Sequence, residues 1–98
     1  MNLSTEDALG LELVTAMKVA EGRLLINDDV VKVVGKRIHE TEDKLPIATA
    51  LIALATRLKD LPGSRPATGQ VIGLAAIALG DVALNGALCK ALYARRPG

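Results

Sequence analysis

Aromatic side chains are almost absent from this chain. Tyr93 is the only aromatic residue among 98, with no Phe and no Trp, although half of the residues are hydrophobic. A buried core must therefore be built from Leu, Ile, Val and Ala. Nucleic-acid binding is disfavoured as well, because the basic residues have no aromatic side chains between them on which bases could stack. The net charge of +1 says nothing about partners, but the helices that would have to read base edges are apolar, so we expect no nucleic-acid partner.

Reactive side chains are equally scarce. Cys89 is the only cysteine and His39 the only histidine. A lone cysteine excludes an internal disulfide framework, which is typical of a reducing compartment. The first residues also lack the basic start and the apolar run of a signal peptide. These features predict a cytoplasmic protein.

The few candidate sites for chemistry have simpler explanations. His39 could form a metal cluster with Glu40, Glu42 and Asp43, but no second His or Cys lies near them in the sequence, so an exposed acidic helix end accounts for them. Residues 63–69 precede a helix start but lack the ending of a phosphate-binding loop. Cys89 lies in an apolar helix, where a thiol usually acts as a small hydrophobic group. We predict no enzymatic activity, no cofactor and no metal.

Helical periodicity dominates the chain and predicts one all-α domain over residues 1–98. Apolar residues recur at three- and four-residue spacing, and Ser4 followed by acidic residues resembles a capping box. We expect four helices, over about residues 5–21, 28–42, 46–61 and 66–96, in an orthogonal or up-down bundle. The last two should form a hydrophobic αα-hairpin across residues 62–66. A break near Gly80 would raise the number of helices to five.

Residues 23–35 are open to two interpretations. The valine-rich segment 30–34 could pair with residues 24–26 as a β-hairpin, since valine favours strands. Alternatively, Asn27 or Asp28 caps a helix whose apolar face contains Val30, Val34 and Ile38. The helix is favoured, because the hairpin would have no further strands to join.

The last helix carries an unusual line of small residues. They repeat at spacing three and four and are Gly73, Ala76, Gly80, Ala83 and Ala87. Glycine inside a helix costs about 1 kcal/mol relative to alanine. Several glycines and alanines on one line therefore suggest a seam where another helix approaches closely, which is a candidate packing surface or interface.

Asp81 and Asn85 interrupt this apolar helix at i,i+4 spacing. A buried aspartate needs a partner, so one interpretation is a buried polar pair in contact with a basic residue. In the other interpretation, Asp81 faces a solvent gap or caps a helix that breaks at Gly80.

Charge is distributed unevenly along the chain. Residues 1–44 carry 9 acidic and 6 basic side chains, whereas residues 45–98 carry 2 acidic and 6 basic. The two halves could dock on each other within one chain or between neighbouring chains. Together with the excess of apolar residues for so short a chain, this predicts a small non-enzymatic protein-interaction module (a regulator, adaptor or inhibitor) that forms homo-oligomers or binds another protein.

Two other functions remain open from the sequence. A helix over residues 71–92 is long enough to span a bilayer, but Asp81 near its centre would cost about 2.5–3.5 kcal/mol, so a membrane role is disfavoured. A carrier for a small ligand, with a pocket between aliphatic helices, is the second alternative.

Overall fold

Five helices and one β-hairpin make up the part of the chain that the computed structural model describes, residues 3–94. In chain order they are α1 (Thr5–Thr15), β1 (Met17–Ala20), β2 (Arg23–Ile26), α2 (Asp28–Glu40), α3 (Leu45–Leu58), α4 (Arg65–Ala78) and α5 (Leu84–Tyr93). The prediction of a mainly helical protein is confirmed. The all-α class is confirmed in this coarse sense, and the described chain also contains one small two-stranded hairpin.

Helix α1 begins where the sequence predicts and ends earlier. The Asp7 backbone N–H donates to Ser4 Oγ at 3.2 Å, which satisfies one of the free N–H groups at the helix start. The helix stops at Thr15, because the four residues from Met17 pair as strand β1 with Arg23–Ile26. The predicted continuation to residue 21 is therefore wrong.

The hairpin turn depends on two residues with positive φ. Glu21 has a φ of 53° and Gly22 a φ of 75°, as required at both central positions of a type I′ turn. This hairpin is not the one considered from the sequence, since β2 pairs backward with β1 and not forward with residues 30–34.

Helix α2 resolves the ambiguity of the valine-rich segment in favour of a helix. Asn27 Oδ1 accepts a hydrogen bond from the Asp29 N–H at 2.9 Å, and Asp28 and Asp29 lie in the first turn. Both acids complement the positive end of the helix dipole. Val34 and Ile38 are fully buried and anchor the helix to the core.

Helix α4 lies at the centre of the fold. Eight of its residues are buried: Ala67, Thr68, Val71, Ile72, Leu74, Ala75, Ala76 and Ala78. Helices α2, α3 and α5 and strand β2 all pack against it. In contrast, α5 has no buried residue and covers α4 only with half-buried side chains.

Strand β2 is fixed to α4 by the side chain of Gln70. The Ile26 N–H donates to Gln70 Oε1, and Gln70 Nε2 donates to the Ile26 carbonyl, both at 2.9 Å. The amide thus bonds to the strand as the backbone of another strand would. The Leu24 N–H also donates to the Gly63 carbonyl at 2.8 Å, so the edge of β2 that faces away from β1 is covered.

The expected last helix breaks at Gly80. This glycine has a φ of +82°, its N–H donates to the Ile77 carbonyl, and the Asp81 N–H donates to the Ala76 carbonyl. These two bonds and the left-handed glycine form a Schellman motif, a common helix end. The prediction of one helix over residues 66–96 is therefore wrong, whereas the alternative of a break near Gly80 is found.

Replacing Gly63 should destabilise the protein strongly. Its φ is +67°, and a Cβ atom there would overlap the Gly22 carbonyl oxygen. We expect Gly63→Ala to lower the free energy of unfolding by about 2 kcal/mol or more, measured by urea denaturation. Gly69→Ala is the matched control, because it lies in helix α4 with open space at the Cβ position and should be neutral or stabilising by up to about 1 kcal/mol. Equal effects of both variants would contradict the close approach of the two turns.

Replacing Gln70 should loosen the hairpin. Gln70→Met keeps the length and helix propensity of the side chain but removes both hydrogen bonds to Ile26. We expect a loss of about 2 kcal/mol of stability, since each bond contributes about 1 kcal/mol. Hydrogen exchange of the Ile26 amide should accelerate more than exchange in α3. Unchanged protection at Ile26 would show that Gln70 does not fix the strand.

Candidate interaction surface

The predicted seam of small residues is not a single surface. Ala76 is buried and Gly73 half-buried, whereas Gly80, Ala83 and Ala87 are exposed. The chain turns between α4 and α5, so the five residues do not follow one another along one helix. At Gly73 a close neighbour does exist, since a Cβ atom there would lie 3.8 Å from Asn85 Nδ2. Gly73, the first residue of the predicted seam, therefore packs against α5 of the same chain.

The predicted buried pair of Asp81 and Asn85 is wrong for Asp81. Asp81 is exposed, and its Oδ1 accepts a hydrogen bond from the Ala83 N–H at 2.9 Å. It thus stabilises the turn before α5, which is the capping interpretation of this residue. Asn85 is half-buried, and its Oδ1 accepts a weak hydrogen bond from Cys89 Sγ at 3.7 Å.

The outer side of α1 has the main concentration of exposed apolar residues. Leu11 is 56% exposed, Val14 49% and, on the neighbouring helix α2, Val33 54%. None of them belongs to the buried stripe of Leu9 and Leu13. Single exposed leucines are normal, but neighbouring ones on adjacent elements suggest a surface that another molecule covers.

A groove of about 640 Å³ lies between α1, β1 and α2 beside these residues. Its walls are mainly apolar, with polar groups at the rim, and are lined by Leu11, Glu12, Thr15, Ala16, Lys18, Asn27, Asp29, Val30 and Val33. We call this groove and the exposed Leu11, Val14 and Val33 side chains the α1 surface.

The far side of Leu11 continues toward α3. A shallower depression there is lined by both α1 and α3 residues, namely Leu3, Glu6, Asp7, Gly10, Leu11, Val14, Ala50 and Leu54. Leu11 borders this depression and the groove alike. It is therefore the central apolar side chain of the α1 surface.

Charges around the groove are mixed. Arg37 Nη1 lies 2.8 Å from Glu12 Oε2, and both side chains are nearly half exposed. An exposed pair of this kind contributes about 0–1 kcal/mol, so it connects α1 to α2 only weakly. Lys18 and Asp29 lie on the lining as well, so the rim offers both signs of charge to a partner.

The candidate metal-binding and nucleophilic residues of the sequence lie at or near the surface of the described chain. His39 is exposed and Cys89 half-buried, and residues 3–94 contain no group of three His, Cys, Asp or Glu side chains that could hold a metal ion. Ser64 makes no side-chain capping bond at the start of α4. The proposed span over residues 71–92 is interrupted at Gly80, and none of the helices within residues 3–94 has the length and apolar character needed to cross a membrane.

Comparison with known proteins gives no relative for this chain: no family model, no curated protein and no solved structure matches it.

The α1 surface was not anticipated from the sequence, although a signal for it was present. The apolar stripe of α1 includes Leu9 and Leu13 and excludes Leu11 and Val14. Leucine and valine outside the stripe of an amphipathic helix imply a second apolar face. In the sequence that signal was weaker than the glycine line of the last helix.

Substitution of Gly80 distinguishes its role as a helix end from a role in an interface. We expect Gly80→Ala to lower the free energy of unfolding by about 1–2 kcal/mol, because alanine is disfavoured at positive φ, with no change in association. Gly86→Ala in α5 is the control, since its Cβ position is open and its φ is not positive, and it should be neutral or stabilising. Loss of self-association in Gly80→Ala, measured by sedimentation at matched stability, would support the seam instead.

Proposed function

We propose that this protein is a small, cytoplasmic, non-enzymatic protein-interaction module that acts as a regulator, adaptor or inhibitor by packing its α1 surface against another protein chain. The single observation that supports this proposal most strongly is the exposure of Leu11 between two apolar depressions. Homo-oligomer formation is part of the proposal, because a second copy of the chain carries the same exposed apolar side chains and could cover those of the first.

The free-energy argument rests on the area that a partner would remove from water. Burial of apolar surface is favourable by about 25 cal/mol per Å², and Leu11, Val14 and Val33 each keep about half of their side-chain surface exposed. Folding of the chain removes only about half of the surface of these three side chains from water. A partner that covers all three would gain the burial free energy of the other half.

The lining of the groove suits an apolar helical partner. Most of its residues belong to two helices, α1 and α2, and a helix can lay an apolar face between two helices with anchors three and four residues apart. Polar side chains at the rim, including Glu12 and Lys18, can fix the orientation of the partner. Contacts in this mode are helix–helix contacts.

A carrier for a small apolar ligand is the second candidate, and the groove volume favours it. About 640 Å³ falls within the range of about 300–1,000 Å³ typical of ligand pockets. However, Leu11, Thr15 and Val33 are all exposed, so the groove would leave much of a small ligand in water. A ligand that co-purifies with the protein, detected by mass spectrometry of an organic extract, would favour the carrier.

A charge at position 11 should abolish partner binding. We expect Leu11→Glu to keep its stability within about 1 kcal/mol, because the side chain is already largely in water, and to lose proteins retained by the wild type in a pull-down quantified by mass spectrometry. Val82→Glu is the control, because Val82 is 69% exposed and lies in the turn before α5, away from the α1 surface. Solution mass measured by sedimentation supplies the readout for self-association. Identical mass and identical retained proteins for wild type and Leu11→Glu would show that the α1 surface is not an interface.

A further inference from the structure

The two edges of the β-hairpin are treated differently by the fold. The outer edge of β2 is covered, since the Ile26 backbone bonds to Gln70 and the Leu24 N–H bonds to Gly63. The outer edge of β1 has no corresponding cover: within residues 3–94, no hydrogen bond reaches Met17 or Val19 from that side. Val19 is 73% exposed, the highest value among the exposed large hydrophobic residues.

The register determines which backbone groups of β1 point outward. Val19 pairs with Leu24 and Met17 pairs with Ile26. In an antiparallel ladder, directly opposed residues alternate between pairs that bond to each other and pairs that do not. Leu24 and Ile26 direct their backbone groups away from β1, so Val19 and Met17 must direct theirs away from β2. The open edge therefore presents an N–H and a C=O group at both residues.

We propose that a second copy of this chain occupies this edge, with the two β1 strands pairing antiparallel about a two-fold axis at Val19. This inference rests on the proposed function and names its partner. Two hairpins would become one four-stranded sheet with the order β2-β1-β1-β2. The hairpin is already stabilised by packing against α4, so the added strands would pair the open edge of β1.

Complementarity of the edge with itself favours a second copy over an unrelated peptide. A register centred on Val19 places the two Val19 residues opposite each other, so their N–H and C=O groups bond reciprocally and their apolar side chains meet. The same register places Lys18 opposite Ala20 of the second copy, so no like charges lie directly opposite each other across the axis. Of the usual protections of a free edge, Met17–Ala20 lacks a proline and a bulge and has two others, a length of only four residues and Lys18.

The pairing also brings the second copy to the α1 surface. Lys18 is both a β1 residue and part of the groove lining. A chain that extends the sheet at β1 therefore approaches the groove from that end. One interface can in this way include backbone pairing and apolar burial, the combination that makes strand addition specific.

Three substitutions at position 19 test the proposal by sedimentation over a range of protein concentrations. Val19→Pro removes the outward N–H but no bond within the hairpin, since proline is tolerated on an edge strand whose N–H faces solvent. Val19→Lys places like charges directly opposite each other across the axis, which is destabilising. We expect both variants to raise the dissociation constant of the dimer by about tenfold or more. Val19→Thr keeps the N–H and the β-branched shape, so it should dimerise within about threefold of the wild type.

Hydrogen exchange of the wild type supplies a readout independent of substitution. Protection of the Val19 amide should increase by about tenfold or more as the protein concentration passes through the dissociation constant, whereas the Leu24 amide, which is bonded within one chain, should not change. If Val19→Pro does not fold, Val19→Lys decides the result alone.

The outcomes separate this inference from the proposed function. Dimerisation that survives Val19→Lys and Val19→Pro would overturn pairing at β1, while sensitivity to Leu11→Glu would still support the α1 surface as an interface. A wild type that stays monomeric at millimolar concentration would also overturn pairing at β1. In that case the pull-down with Leu11→Glu decides separately whether a different protein binds.

Discussion

Burial of helix α4 is the constraint on which the rest of the structure depends. Eight of its residues are removed from water, and their side chains are all small or aliphatic apart from Thr68. A helix that is apolar on most of its circumference has to be covered on most of its circumference. Helices α2, α3 and α5 and strand β2 supply that cover. Because α3 follows the same rule with five buried residues of its own, the two helices pack extensively on each other, and α1 covers α3.

The hairpin completes the cover in a way that no helix could at that position. A helix docks by side chains alone, whereas β2 approaches α4 with an exposed backbone whose polar groups must be satisfied. Gln70 solves this problem, since its amide is both donor and acceptor and reproduces the bonding of a strand. The turn at Gly63 solves it for Leu24. The contact between Leu24 and Gly63 requires a close approach of two backbones, and Gly63 lies against the Gly22 carbonyl with no side chain between them.

Much of the helical content could be predicted from the sequence, because it depends on local signals. Ser4 and Asn27 cap helices at the positions where the sequence suggests helix starts, and the turn after α3 contains both Pro62 and Gly63. The hairpin could not be predicted in the same way. Met17 and Ala20 continue the apolar periodicity of α1, and Glu-Gly is a weaker turn signal than Asn-Gly. Residues 17–26 form strands instead of a longer helix because Ile26 and Leu24 bond to residues about forty positions later in the chain.

The spacing of the small residues from Gly73 to Ala87 also could not predict what each of them does. Spacing alone gives Gly73 and Gly80 the same role, yet Gly73 allows close packing of α5 and Gly80 ends α4 with a positive φ. A periodic pattern assumes that the helix continues, and the Schellman motif at Gly80 removes that assumption. Asp81 then caps a turn in solvent, which needs no buried partner.

The exposed apolar surfaces lie on the sides of the elements that do not pack against α3 or α4. The apolar faces of α1 and α2 pack against α3 and α4, so Leu11, Val14 and Val33 on the remaining faces stay about half exposed. Gln70 and Gly63 satisfy the backbone groups on the outer edge of β2. No residue between 3 and 94 bonds in this way to the outer edge of β1. Both open features lie at the α1–β1–α2 end of the chain, and Lys18 belongs to both. The proposed partner would therefore bind the surface that the described residues leave exposed once α4 is covered, since burial of that apolar surface is favourable.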